Sequence, residues 1–275
     1  MCFSATASFS ASLVIGTIGV ATFSKSKDSN LKFLGAIPFL FAVQQFTEGF
    51  VWLSFNNFNF QFIQETATKA FLFFAWVLWP ILMPYSIYKT EIPGLKKKIN
   101  FYLFLLGSAS GLHSIYTLLA GNPQPLVNDF HIDYTVSASA FENKIQIIQQ
   151  LTYVIVTVVP LFVSSLKGAK VLATANFIAL VLAFVFFKHS LPSTWCFFAA
   201  ILSGIIYWIV RVNSKKTIAQ FGLTKKALPI GRAFLYLITK LSLNHHTLCL
   251  KFTVVDGFNK VQSVCKWTLE GDVRI

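Results

Sequence analysis

The sequence predicts an all-α fold: a bundle of seven transmembrane helices with the N-terminus outside the cell and the C-terminus in the cytoplasm. Of the 275 residues, 55% are hydrophobic and only 12% are charged, far fewer than in a soluble domain of this length. A helix needs about 20 apolar residues to cross a bilayer, and the apolar runs lack the alternation of membrane β-strands. The runs cover residues 7–23, 31–55, 67–88, 99–120, 145–164, 171–187 and 194–210.

The distribution of lysines gives the predicted orientation. With seven helices, the loops after the first, third and fifth helices lie on the same side as the C-terminal tail. These loops are basic, whereas most acids before the tail fall on the other side, so the positive-inside rule places the basic side in the cytoplasm. The basic residues of these loops are Lys25, Lys27, Lys89, Lys96, Lys97, Lys98, Lys167 and Lys170.

A basic cytoplasmic tail, residues 214–275, follows the membrane domain of residues 1–213 in this prediction. From residue 211 onward there are 11 Lys/Arg and 3 Asp/Glu, so we expect the tail to bind anionic lipid. No nucleic-acid-binding motif accompanies the charge, and we expect no nucleic-acid partner. Within the tail the sequence predicts an amphipathic helix over 228–243 and a β-hairpin of strands 247–255 and 261–269 with an Asp256-Gly257 turn.

A polar stretch, Gln44 to Gly49, interrupts the second apolar run. A carboxylate is costly in lipid, so Glu48 should face protein or water and have a partner. Gln45, Glu48 and Trp52 fall at positions i, i+3 and i+7, which places them on one helical face. The sequence therefore predicts a polar site around Glu48, with Gln44 beside it.

Polar residues of other helices converge on the same outer half of the bundle. Glu48 and His113 each lie seven residues before the outer end of their apolar run, roughly 10 Å deep at the helical rise. We therefore expect them to form a coupled pair if their helices are neighbours or face one cavity. The other candidates lie at outer helix ends and are Cys2, Ser4, His189, Trp195 and Cys196.

These residues suit three functions. The one we favour is a non-enzymatic or unassigned membrane role, in which an outward polar pocket binds a small ligand or ion. Glu48, His113 and His189 also match a three-ligand metal centre, so zinc is a candidate cofactor and a metal-dependent hydrolase acting on lipid is the alternative. The third interpretation is a purely structural bundle. No HExxH, GxSxG, P-loop or GxGxxG motif identifies a catalytic residue.

Several small residues, prolines and cysteines predict how the helices meet. Pro80 and Pro84, one turn apart, predict a bent third helix whose freed carbonyls need other partners. Cys2 and Cys196 each begin an outer helix end, where the oxidising exterior permits a disulfide. Small residues that allow close helix contact are Ser4, Ser8, Ser12 and Gly16 on the first helix and Gly107 and Gly111 on the fourth.

Three segments resemble an uncharacterised family of bacterial multi-pass membrane proteins. They are the Met1-Cys2-Phe3-Ser4 opening, the Gln44-to-Gly49 stretch and Trp195-Cys196-Phe197-Phe198. The resemblance covers about residues 1–211 and implies a place in the bacterial inner membrane but no activity.

A weaker likeness is to the seven-helix membrane hydrolases that include alkaline ceramidases and adiponectin-receptor-like proteins. The chain is similar to them in helix count and in having Ser, His and an acid within the membrane. Their last helix carries a paired-histidine motif, where this chain has Trp208 and Arg211.

Overall fold

The computed structural model describes residues 4–128, 131–135, 140–186, 198–214, 251–256 and 260–265. By internal packing the chain divides into two units, Met1–Ala219 and Gln220–Ile275. The predicted boundary, after residue 213, lies six residues before this division. The two units are described separately below.

The first unit is mostly helical. Within the described residues, five helical stretches are long and apolar enough to cross a membrane, and two shorter apolar helices, Ile147–Val163 and Phe198–Ser214, accompany them. Each of the seven predicted apolar runs overlaps one of these stretches. The helices are α1 (Ala5–Lys25), α2 (Lys32–Asn56), α3 (Gln64–Leu72), α4 (Trp79–Thr90), α5 (Leu95–Ala120), α6 (Ala140–Val163), α7 (Ala169–Phe186) and α8 (Phe198–Ser214).

Helices α1 and α2 pack closely in antiparallel directions along the predicted small-residue seam. The Ser12 hydroxyl donates a hydrogen bond to the carbonyl oxygen of Ala42 at 2.8 Å. A Cβ added at Gly19 would lie 2.6 Å from the backbone nitrogen of Phe39, so only glycine permits this approach. The seam therefore extends beyond the predicted four residues, and α2 is the helix that it meets.

The third apolar run is a single bent unit made of α3, a π-helical segment and α4. The π segment, Phe73–Leu78, ends where the amide of Trp79 donates to the carbonyl of Phe74, five residues earlier. Pro80 follows and has no amide hydrogen with which to continue the α-helical pattern. The structure thus has a π-helical bend at the place where the proline pair predicted one.

A β-hairpin joins α5 to α6, in the segment between the fourth and fifth apolar runs of the sequence. Strands β1 (Gln124–Asn128) and β2 (His131–Thr135) pair in antiparallel register. Ile132 of β2 is fully buried in a cluster with Trp52 and Ala67, and the Tyr134 ring stacks on Phe71 at 5.1 Å between centroids. The fold is mostly helical, as predicted, and this short sheet is an addition to the helices of the first unit.

Hydrogen bonds tie together the helix ends that carry most of the lysines, and we call this end of the unit the basic end. They join the C-terminal ends of α1 and α8, the α4–α5 connection and the α6–α7 connection. The bonds are Ser214 Oγ to Lys25 O at 3.0 Å, Lys96 Nζ to Ser165 Oγ at 3.0 Å, Asn213 Nδ2 to Lys167 O at 3.1 Å and Ser165 N to Glu91 Oε1 at 2.6 Å. Hairpin β1–β2 belongs to the other end, which we call the opposite end.

The described part of the second unit is an antiparallel hairpin. Strand β3 (Lys251–Asp256) pairs with β4 (Lys260–Cys265), and Asp256 faces Lys260 in the register. Residues 257–259 connect the strands, so the connection differs from the predicted two-residue turn of Asp256 and Gly257. The predicted amphipathic helix over 228–243 lies outside the described residues.

Candidate functional site

Three residues of the predicted polar site are buried in the second half of α2. Glu48, Gln45 and Gln44 have exposed fractions of 0%, 1% and 2%. The Gln45 side-chain amide donates a hydrogen bond to Glu48 Oε2 at 2.7 Å. One helical turn separates the two residues, so the spacing that put them on one face also lets their side chains bond. The carboxylate therefore lies inside the protein and away from lipid.

Gln44 connects this stretch to α4. The indole nitrogen of Trp79 donates to Gln44 Oε1 at 2.7 Å, and both side chains are buried. The Trp79 ring also lies 4.2 Å from that of Phe41 between centroids. Because Trp79 is the first residue of α4, the bend before it determines where this donor lies. The sequence had given Trp79 no part in the site.

Helix α1 covers the Glu48 region closely. A Cβ added at Gly49 would lie 2.6 Å from the ring of Phe9, so glycine at this position leaves room for the aromatic side chain. Phe9 in turn contacts Phe46 and Phe50 edge-on, with centroids 5.4 Å away in each case. The apolar rings thus screen this part of α2 on the α1 side.

Two buried polar atoms near this region have no hydrogen-bond partner within the described part of the chain. They are the indole nitrogen of Trp52 and the hydroxyl of Thr68 on α3, with exposed fractions of 5% and 0% for the two residues. Trp52 lies one turn after Glu48, on the face that the sequence predicted. An unpartnered buried N–H costs free energy unless a ligand, ion or water satisfies it. Thr68 was missed, because one threonine in an apolar run carries no distinguishing signal.

His113 is not joined to Glu48. Its side chain is half-buried on α5 and, within the described residues, forms no hydrogen bond. Helix α5 packs mainly on α4 and α6, whereas α2 packs mainly on α1, α3 and α4. The expected coupled pair is therefore corrected, since the two helices are not close neighbours.

Several other polar side chains near the opposite end, on α5 and α1, have structural partners. The Gln149 amide of α6 donates to the hydroxyls of Ser110 and Ser114, each at 2.8 Å. Ser4, a ligand candidate from the sequence, caps α1 by accepting a hydrogen bond from the amide of Ala7 at 3.2 Å. These contacts hold helix ends and neighbouring helices in place at the opposite end.

Four predicted site residues, Cys2, His189, Trp195 and Cys196, lie outside the described residues. The zinc set and the Cys2–Cys196 disulfide therefore stay predictions. In the part of the chain that the structure describes, no three His, Cys, Asp or Glu side chains are close enough to share a metal ion.

A second buried acid, Glu91, was not identified from the sequence. It is 4% exposed and accepts hydrogen bonds from the Ser164 hydroxyl at 3.1 Å and the Ser165 amide at 2.6 Å. These bonds attach the α4–α5 connection to the α6–α7 connection at the basic end.

Comparison with known proteins gives a family without an assigned activity. A family model described as a family of unknown function, DUF6629, matches residues 1–221. Neither a curated protein nor a solved structure matches the chain. The matched region covers the helices and the Glu48 site and ends near the start of the second unit.

Proposed function

We propose that the chain, which belongs to DUF6629, a family of unknown function, is an integral membrane protein that binds a small ligand or ion at Glu48. Since the family has no assigned activity, the proposal is based on the buried side chains of this chain. The prediction of an uncharacterised family is confirmed by this membership. The membrane role is supported by the helices that are long and apolar enough to cross a bilayer.

The observation that carries the proposal is the burial of Glu48 beside an unpartnered donor. Glu48 is fully buried within an apolar helix, and ionisable residues at such positions are by default candidates for function. The buried indole N–H of Trp52 follows one turn later without a partner in the described residues. One helical face thus presents an acceptor and a donor separated by about 6 Å along the axis.

The chemistry of these groups selects the kind of ligand. The carboxylate of Glu48 and the side-chain amide oxygens of Gln44 and Gln45 are hard ligand atoms that suit a small cation. The carboxylate can also take up a proton. The Trp52 N–H suits an acceptor atom of a small polar molecule or of water carried with the ion. We therefore propose a cation or a small hydrogen-bonding ligand.

The location of Glu48 suggests the side from which the ligand enters. Glu48 is eight residues from Asn56, where α2 ends, and sixteen from Lys32, where it begins. At the helical rise it lies about 12 Å from the opposite end and about 24 Å from the basic end. With the basic end in the cytoplasm, the shorter path comes from outside.

The proposal is tested by measuring whether ions change the thermal stability of the full chain in detergent. Thermal unfolding is measured against chlorides of Na⁺, K⁺, Mg²⁺, Ca²⁺ and Zn²⁺ and across pH. A ligand that binds only the folded state at a hundred times its Kd stabilises it by about 2.7 kcal/mol. We expect one ion, or protons, to raise the unfolding temperature saturably, and Glu48→Gln to abolish the rise.

Glu91→Gln is the matched control, because it removes the other buried carboxylate that the structure describes and lies at the basic end. It should keep the ion response. Persistence of the response in Glu48→Gln would mean that the ion binds elsewhere, and its absence in the wild type would leave a structural bundle. Either result would contradict the proposed site. Zinc bound stoichiometrically and lost in both Glu48→Ala and His189→Ala would instead favour the hydrolase.

A further inference from the structure

A groove at the basic end has features of a lipid-headgroup site and lies away from Glu48. It has a volume of about 350 Å³ and is lined by Tyr88 at the end of α4 and by Lys97, Lys98, Phe101 and Tyr102 in the first turns of α5. We propose that this groove binds the headgroup of an anionic phospholipid, with the two ammonium groups on its phosphate.

The lysines of the groove carry charge that no acid neutralises. In the part of the chain that the structure describes, neither Lys97 nor Lys98 forms a salt bridge with an acid. The nearest acid along the chain, Glu91, is buried and holds Ser164 and Ser165. Lys97 and Lys98 are therefore available to an external anion.

The position of Lys97 and Lys98 at the start of α5 also favours binding of an anion. Lysines are unfavourable in the first turn, where the helix dipole is positive and the first amides lack partners. Helix α5 begins at Leu95 and has no acid in its first turn and no side-chain cap. A bound phosphate would offset the repulsion and accept from the same lysines.

The aromatic rings of the groove position the Lys97 ammonium and have the composition of a membrane interface. The Lys97 ammonium lies 5.1 Å from the centroid of the Tyr88 ring, a cation–π contact that keeps it on the groove. Tyr88 and Phe101 are 5.7 Å apart between centroids, and Tyr102 is exposed. Tyrosine and lysine side chains are typical of the headgroup region.

The surface next to the groove favours a lipid over free phosphate. One to three turns further along α5, Leu105, Leu106 and Leu112 are exposed. Exposed leucines on a helix apolar enough to span a membrane suit acyl chains. An anion held by Lys97 and Lys98 would therefore have its hydrocarbon chains beside these side chains.

The experiment is native mass spectrometry of the full chain titrated with phosphatidylglycerol or with phosphatidylcholine of the same acyl chains. A lysine near an anionic headgroup contributes enough for about a fivefold change in affinity, so the Lys97→Gln/Lys98→Gln variant should bind its first phosphatidylglycerol about 30-fold more weakly. Phosphatidylcholine should bind weakly to both proteins. Lys97→Arg/Lys98→Arg, which keeps the charge, should bind as the wild type does.

Lys167→Gln/Lys170→Gln removes two charges from the same end and is the matched control, with less than about a threefold change expected because neither lysine lines the groove. Equal weakening in the control, or none in the groove variant, would overturn the proposal. Displacement of phosphatidylglycerol by millimolar inorganic phosphate would overturn the lipid assignment. If the double variant does not fold, the single variants should each show the fivefold loss.

Discussion

Two tryptophans near Glu48 have opposite hydrogen-bonding situations. Trp79 donates to the buried Gln44 oxygen at 2.7 Å, whereas the buried Trp52 nitrogen has no partner in the described residues. A hydrogen bond between buried groups stabilises a fold, while an unsatisfied buried donor lowers stability. The two indoles should therefore respond differently when their N–H groups are removed.

We predict that Trp79→Phe lowers the free energy of unfolding by about 1–3 kcal/mol, because the buried Gln44 oxygen loses this donor. Trp52→Phe removes a comparable ring volume without breaking a bond, so its effect should be smaller, under about 1 kcal/mol. Thermal unfolding in detergent, followed by circular dichroism, compares the two. Equal losses of unfolding free energy in the two variants would mean that ring packing, and not the hydrogen bond of Trp79, accounts for the effect.

The sequence predicted the local part of the site and missed the part that depends on helix neighbours. Spacing along α2 correctly put Gln45, Glu48 and Trp52 together, because residues on one helical face stay together in any fold. Equal depth in the membrane did not make His113 a neighbour of Glu48, because depth says nothing about which helices touch. The hydrogen bond that Gln44 accepts comes from Trp79 of α4. Residue spacing along α2 does not reveal this contact between helices.

At the scale of elements, the bend in the third apolar run determines how α4 meets α5. Pro84 lacks the amide hydrogen that the carbonyl of Pro80 would normally bind. Gly107 of α5 lies against this carbonyl, and a Cβ at Gly107 would overlap its oxygen. Gly111 lies one turn further, near Ile81 and the carbonyl of Val77. The glycine pair thus lets α5 approach the backbone at the bend.

We predict that Gly107→Ala destabilises the protein by about 1–3 kcal/mol, since the methyl group forces α5 away from α4. Gly204→Ala is the matched control, because nothing lies within 4 Å of its added Cβ. It should be neutral or stabilise by up to about 1 kcal/mol through helix propensity. Thermal unfolding of both variants measures the difference, and equal effects would show that close α4–α5 packing is unimportant.

The glycine pair and the prolines were visible in the sequence, but their mutual contact was not. A GxxxG spacing predicts a face that accepts another helix and leaves the partner open. Hairpin β1–β2 was missed for a different reason. Its strands have five residues each, too short for a clear alternation, and much of its hold comes from Ile132 and Tyr134 packing on distant helices.

At the scale of the whole first unit, charge separates the two ends. Lysines at the C-terminal end of α1, in the α4–α5 connection and in the α6–α7 connection lie together at the basic end, where hydrogen bonds link these segments. At the opposite end the described Lys69 pairs with Glu65 at 2.5 Å, so that its charge is compensated. Uncompensated lysines beside a bilayer favour the cytoplasmic side, which is the side that the sequence predicts for the basic end.

We predict that residues of the basic end are reached only from the cytoplasm. In a background without the four native cysteines, Lys97→Cys at the start of α5 and Asn59→Cys beyond the end of α2 place one thiol at each end. Asn59 is exposed and Lys97 is half-buried, so each thiol should react with a maleimide that reaches it. In intact cells a membrane-impermeant maleimide should label Asn59→Cys, and Lys97→Cys only after permeabilisation.

The reverse pattern would invert the orientation, and labelling of both from outside would mean that the helices between these positions do not separate the two ends across the membrane. Because α2 ends near Asn59 and Glu48 is nearer that end, the same pattern also decides whether the proposed site opens to the exterior.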